Sequence, residues 1–373
     1  MNSIDSELDK HGIKILCPID QFNINEIATY VATLLCNKFP SLGLDYLSTF
    51  RRISNLNMYI ADMPYGMSDA CYYYKNTSMY FRSGLSFDEI KRLSFHESIH
   101  HLQEVRDNKN ELHKLGLCTY LHSKAYGSAL NESSVQLMAS YATCESADVV
   151  KYYDISFPTD SPNYYPLLCN LIKQIGYLTG YPVLFESTIY ANDSFFKSFK
   201  KLLGDNNAYN IQQGFDKILL TEEKIIKLNN KLQSTDMSDS KFKYYSSLVT
   251  KYKKQIKTLF FNIQNLIITS FFDSKIKTIQ NAAQIEQFRR CLYNYSSLIG
   301  FSSDYTFFND YYISKMVQLD ELYDNFTNNR SIAVVRHSRI SVLMKFLKKM
   351  FTRDEIINYN ELKYKSGTKR ELG

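Results

Sequence analysis

The 373-residue chain is long enough for one large domain or two ordinary ones, and its 45% apolar and 22% charged residues exclude wholesale disorder. The formal charge of +6 comes with acids interspersed among the lysines, which describes solvated helix faces, and no nucleic-acid-binding motif accompanies it. Seven cysteines without a CxxC pair exclude a disulfide framework and fit reduced, mostly buried thiols in a cytoplasmic protein.

The first residues, MNSIDSELDKHG, have neither a basic start nor an apolar run, so no signal peptide is expected. Residues 13–17 read as a short strand and 24–36 as an amphipathic helix. Residues 53–62, 70–74 and 78–82 read as strands rich in Tyr and Met, which suits a small antiparallel sheet. Ser86-Phe-Asp-Glu89 is a capping-box pattern that opens a helix expected to reach Val105. Residues 116–123 are ambiguous. Further helices are expected at about 128–145, 164–178 and 184–203.

Leu203-Gly-Asp-Asn-Asn207 marks the expected boundary between a catalytic unit, residues 1–204, and a helical region, residues 205–373. That second region opens with a helical hairpin connected by residues 234–240. Phe242, Tyr245, Val249, Tyr252, Ile256, Leu259, Ile263 and Leu266 alternate steps of three and four, the seam of a coiled-coil-like pair. Phe215, Ile218, Ile225 and Leu232 supply the other arm. The apolar stretch 259–272 is interrupted by Asn262, Gln264 and Asn265, so no transmembrane segment is expected. Helices at about 276–298 and 331–351 complete the reading. The fold class is α+β, predominantly helical.

Chemistry concentrates in residues 93–103, LSFHESIHHLQ. His96 and His100 lie four apart on the expected helix, so both imidazoles leave one face, a turn apart. That spacing lets both nitrogens reach one Zn2+ ion at about 2.0–2.1 Å. Glu97 beside them can take a proton from an activated water and pass it to a leaving amine. This is the HExxH pattern of a zinc metallopeptidase, a hydrolase acting on a peptide or protein substrate. The HExxHxxGxxH extension is missing, because Gln103 stands where its glycine would fall. A catalytic zinc needs a third protein ligand, and Glu132, in LNESSVQ early in the next helix, is the leading candidate ahead of Glu145, Glu104 and His122.

With HExxH followed by a helix-borne Asn131-Glu132, the stretch from about 70 to 195 resembles the gluzincin branch of the zincin superfamily. The resemblance implies a zincin-like catalytic fold, with His96, His100 and Glu132 as metal ligands and Glu97 as the general base. It also implies a cleft bordered by an edge strand, here expected at 77–82, on which an extended substrate pairs. In gluzincins an acid on the Glu-bearing helix often orients a ligand histidine; one turn on from Glu132 this chain has Gln136. The separation of His100 and Glu132 is nearer that of clostridial neurotoxin light chains than of thermolysin-like enzymes. Tyr177, Tyr181, Tyr190, Arg289 and Tyr293 are candidate oxyanion stabilisers, the last two similar in spacing to an Arg/Tyr pair of those light chains. Two other readings use the same residues: a helical interaction protein with a vestigial or regulatory metal site, and a zinc hydrolase of a non-peptide substrate.

Overall fold

The computed structural model describes residues 8–64, 66–121, 124–233 and 238–326. The expected helix at 331–351 and His122 lie outside the described residues. The chain opens with strand β1 (Lys14–Pro18), helix α1 (Gln21–Lys38), helix α2 (Tyr46–Ser54) and strand β2 (Asn57–Asp62). Residues 53 and 54, expected in a strand, are the last turn of α2. Its N-cap Asp45 accepts from the Ser48 N–H at 2.8 Å, a local bond that favours the helix.

Strands β3 (Ala70–Tyr73) and β4 (Ser78–Arg82) complete a four-stranded sheet of order β1-β2-β4-β3. The β1–β2 and β3–β4 pairs are antiparallel as expected, whereas β2 and β4 run parallel. The strand before the helix that carries His96 and His100, β4, is therefore internal, and the edge next to that helix is β3. Helix α3 (Phe87–Leu102) starts with the anticipated capping box. Ser86 Oγ accepts from Glu89 N at 3.3 Å, and Glu89 Oε2 accepts from Ser86 N at 2.8 Å.

Helix α3 stops three residues short of Val105. Strand β5 (Glu104–Arg106) begins there and enters a second sheet with β6 (Leu112–Leu115), β7 (Cys118–Leu121) and β8 (Lys124–Tyr126). Arg52 Nη2 caps the helix end, donating to the carbonyls of His101 and Leu102 at 3.3 and 3.2 Å. Helix α4 (Ser128–Thr143) follows, then the hairpin β9 (Ala147–Tyr152) and β10 (Ile155–Thr159), then helix α5 (Pro166–Thr179).

The helix expected over 184–203 is two helices, α6 (Tyr181–Tyr190) and α7 (Ser194–Leu203). Ala191 takes a left-handed φ of 50°. Asn192 Oδ1 accepts from Ser194 N, and Ser187 Oγ accepts from Phe195 N, so side chains replace the helical bonds lost at the break. Helices α8 (Asp205–Leu232) and α9 (Asp239–Ile276) form the anticipated hairpin, and α10 (Ala282–Ser296) and α11 (Phe307–Phe326) follow. Val249, Ile256 and Ile263 of the seam are buried with Phe215, Ile218 and Ile225, whereas Phe242 at its start is exposed.

Two main cores result. One joins α1, α2, the first sheet and α3 through Val31, Leu35, Met79, Phe81, Phe95 and Ile99. The other runs from Leu117 to Leu319 without interruption at residue 204, where Gly204 merely separates α7 from α8. The sequence boundary is thus a helix junction inside a continuous core. Helix α4 belongs to both: Leu130 and Leu137 face one core, Val135 and Met138 the other. A helix placed between two cores is apolar around most of its girth, and buried polar residues on it need partners. No helix among the described residues is long and apolar enough to cross a membrane.

Candidate metal centre

Helices α3 and α4 bring His96, His100 and Glu132 together. His96 Nε2 lies 3.0 Å from His100 Nε2, and the Glu132 carboxylate lies 3.6 Å from the first and 3.4 Å from the second. Ligand atoms bound tetrahedrally at about 2.0–2.1 Å sit about 3.3 Å apart, near these separations, of which the 3.6 Å runs to Glu132 Oε2 and the 3.4 Å to Oε1. All three side chains are buried, and one ligand atom from each lies within 4.8 Å of the others. This donor set, two imidazoles and one carboxylate, suits zinc in kind as well as in size.

The residues around the triangle fix its orientation. His96 Nδ1 pairs with Gln136 Oε1 at 2.9 Å. Gln136 Nε2 in turn donates to Ser140 Oγ and Ser161 Oγ, both at 3.0 Å, which sets the amide with its oxygen toward the histidine. The proton of neutral His96 is thereby held on Nδ1, leaving the Nε2 lone pair for the triangle. Gln136, one turn beyond Glu132, takes the orienting position that the sequence reading left unassigned. His100 Nδ1 is buried and has no hydrogen-bond partner among the described residues.

The two ligand helices are locked in register by Asn131. Its Oδ1 accepts from Gln103 Nε2 at 3.1 Å, beyond the end of α3, and from Leu117 N at 3.0 Å, in the turn between β6 and β7. Gly116, at a φ of 55°, packs against the same amides, leaving no room for a Cβ. The first turn of α4 has no cap of its own, since Gly127 is its N-cap, and Asp216 on α8 accepts from the Ala129 N–H at 3.1 Å instead.

Glu97 is buried, and its Oε2 accepts from Tyr72 N at 2.8 Å. The carboxylate therefore occupies an outward N–H of the β3 edge. A cavity of about 30 Å3, room for a water molecule or two, is bordered by His100, Glu132, Tyr72, Tyr74, Tyr120 and Cys118, and Glu97 does not line it. Next to the cavity, Tyr72 Oη donates to Glu104 Oε1 at 2.8 Å and lies 3.1 Å from His101 Nδ1. Burial, with Arg52 and Arg106 adding to it, pushes the His101 pKa down to about 4, so this imidazole is neutral at physiological pH. Burial also raises the Glu104 carboxyl, against the opposing pull of Tyr72 and Arg106.

The remaining site candidates are engaged elsewhere. Glu104 pairs with Arg106 at 2.9 Å, and Glu145 lies 3.7 Å from Arg92, so neither joins the triangle. Tyr177 Oη donates to the Cys291 carbonyl, Tyr181 Oη to that of Lys173 and Tyr190 Oη to that of Leu42. Arg289 pairs with Asp320 at 2.6 Å, and Tyr293 is exposed on α10. None of these five residues lines the cavity; the tyrosines that do are Tyr72, Tyr74 and Tyr120. Tyr72 comes from β3, Tyr74 from the turn just after it and Tyr120 from β7. No disulfide joins the cysteines, of which Cys71, Cys118 and Cys169 are buried. No protein family, curated protein or solved structure matches the chain.

Proposed function

We propose that the protein is a zinc-dependent peptidase in which His96, His100 and Glu132 hold one Zn2+ ion and Glu97 is the general base. The observation that carries this reading is the cluster of His96, His100 and Glu132, one ligand atom of each within 4.8 Å of the others, with Glu97 on the helix that supplies both histidines. When bound, zinc would supply a Lewis acid and a water of lowered pKa. Gln136 keeps the His96 proton on Nδ1, and Asn131 keeps the two ligand helices in register. Glu97 takes up a proton at its carboxylate and returns it to the leaving amine, the role its position next to His96 suits. Tyr72, Tyr74 and Tyr120 are the phenols bordering the cavity, and replace the earlier candidates for oxyanion support.

One observation favours a second reading, a metal site that is regulatory within a helical interaction protein. The cavity of about 30 Å3 has room for a water molecule or two and is narrow for a peptide side chain. The experiment is metal analysis of the purified protein, paired with hydrolysis of a peptide library by wild type and Glu97→Gln. The expected result is about one zinc per chain in both, lost in His96→Ala and Glu132→Ala, with turnover in the wild type alone. Zinc in both proteins and turnover in neither supports the regulatory reading. No zinc after reconstitution overturns both.

A further inference from the structure

A second, larger cavity of about 350 Å3 lies away from the metal triangle, at the seam where the two cores meet. Four rings form its wall. Phe39 meets Phe185 edge-on with centroids 5.3 Å apart, Tyr141 lies 5.6 Å from Phe39, and Tyr181 stacks on Phe185 at 6.0 Å. Leu137 and Pro182 complete the apolar lining. The volume and the aromatic character are those of small-molecule sites, which also favour seams between packed units.

Charge at the rim narrows the ligand class. Lys173 and Asp160 neutralise each other at 2.8 Å. Lys38 has no carboxylate within ion-pair distance among the described residues, and its ammonium lies 3.4 Å from the Cys144 thiol. Among the described residues the rim therefore carries one uncompensated cation. The first turn of α6, which supplies Tyr181 and Pro182, begins at Gly180 and has no side-chain cap, so its partial positive charge adds to that of Lys38. Aromatic rings alone would serve a cationic ligand as well, but Lys38 and the α6 terminus both repel one.

We propose that this cavity binds a small organic anion with an aromatic or acyl body, its body against the four rings and its charge at Lys38 and the start of α6. The wild-type chain contains no tryptophan, and a naphthyl probe excited above the tyrosine absorption reports on the cavity apart from the protein's own fluorescence. Two probes of nearly the same shape separate charge from greasiness: 8-anilinonaphthalene-1-sulfonate, an anion, and N-phenyl-1-naphthylamine, which is neutral. Both are titrated into the full chain, the exposed-site variants Lys38→Met and Ser41→Trp, and a far-ultraviolet and melting control of each.

Wild type is expected to bind one sulfonate per chain, about tenfold more tightly than the neutral probe. Lys38→Met removes that preference while still binding the neutral probe. Ser41→Trp, which places a large ring at the cavity rim, abolishes both. Should Ser41→Trp melt early, the ratio of the two affinities in Lys38→Met decides alone. Equal affinity for the two probes in the wild type, no saturable binding, or tighter binding of phenyltrimethylammonium than of the sulfonate overturns the proposal.

Discussion

Gln136 determines which nitrogen of His96 carries the proton, and so which one faces Glu132. Replacing it with leucine removes the acceptor and also strands Ser140 and Ser161, which receive its amide protons. Zinc affinity, measured against a chromophoric chelator, is expected to fall roughly 10–100-fold in Gln136→Leu and to be largely kept in Gln136→Glu. Unchanged affinity in the leucine variant would remove Gln136 from the site. Glu97 has a structural duty besides its proposed chemical one, since it satisfies the Tyr72 N–H. Glu97→Ala should lower stability by about 1–3 kcal/mol in thermal or urea melts, and Glu97→Gln by less, because the amide oxygen still accepts. At this scale the sequence was legible wherever one helix supplied the geometry. His96, Glu97 and His100 follow from helical spacing, and Glu132 from the need for a third ligand. The orienting role of Gln136 was not legible, because an acid is the usual occupant and only the docking of α4 on α3 shows the amide reaching His96. The tyrosines failed for a similar reason: with 30 in the chain, only strand and helix placement separates cavity-lining rings from packing.

Helices with clear periodicity were readable, among them α1, α3, α4 and the α8–α9 hairpin, and α1 and α3 also carry capping side chains. What the sequence concealed were short strands whose partners lie beyond a local window. The second sheet, β5 to β8, draws on residues 104–126, where alternation is weak and pairing decides the structure. The break between α6 and α7 was hidden because Ala191 is a good helix former, and the side-chain bonds of Ser187 and Asn192 override it. Elements distant in sequence are also tied electrostatically. Lys257 on α9 bonds Asp154 in the β9–β10 turn at 2.6 Å and Asp304 after α10 at 2.7 Å. The ammonium holds the Asp304 carboxyl down at about 2, below its ordinary 3.8. A depressed carboxyl pKa favours the folded state above the unfolded value, and this contribution fades as pH falls from about 4 toward 2. In Lys257→Met, nuclear magnetic resonance titration should find Asp304 raised toward its ordinary value, with the Ser302 hydroxyl still holding it partly down, and the acid limb of the stability profile should be shallower over that range. An Asp304 that still titrates near 2 would show that Lys257 is not the cause.

The continuous core makes the two halves of the chain interdependent. Phe215, Ile218, Phe260 and Ile267 pack into the same cluster as Leu130, Leu137, Leu168 and Ile172. A buried polar network crosses the same junction. Gln174 Nε2 donates to Gln264 Oε1 at 3.1 Å, Tyr295 Oη donates to Gln174 Oε1 at 2.7 Å, and Gln264 exchanges two bonds with Gly300. A polypeptide ending at residue 204 would expose one side of α4 and α5 and leave Gln174 short of partners. Residues 1–204 expressed alone are therefore expected to show no cooperative melt and to bind a hydrophobic dye broadly, where the full chain melts as one unit. A cooperative melt in the fragment would restore 204 as a domain boundary.

The bond from the Ala129 N–H to Asp216 spans 87 residues of chain. During synthesis at about 5–20 residues per second, Asp216 follows Glu132 by roughly 4 to 17 s. Over that interval the start of α4 has no acceptor for its first turn and no α8 to lean on. The start of α4 as the folded chain holds it, with the Ala129 N–H on Asp216, is thus completed late in the life of the nascent chain, at a time set by the distance between two residues along the sequence.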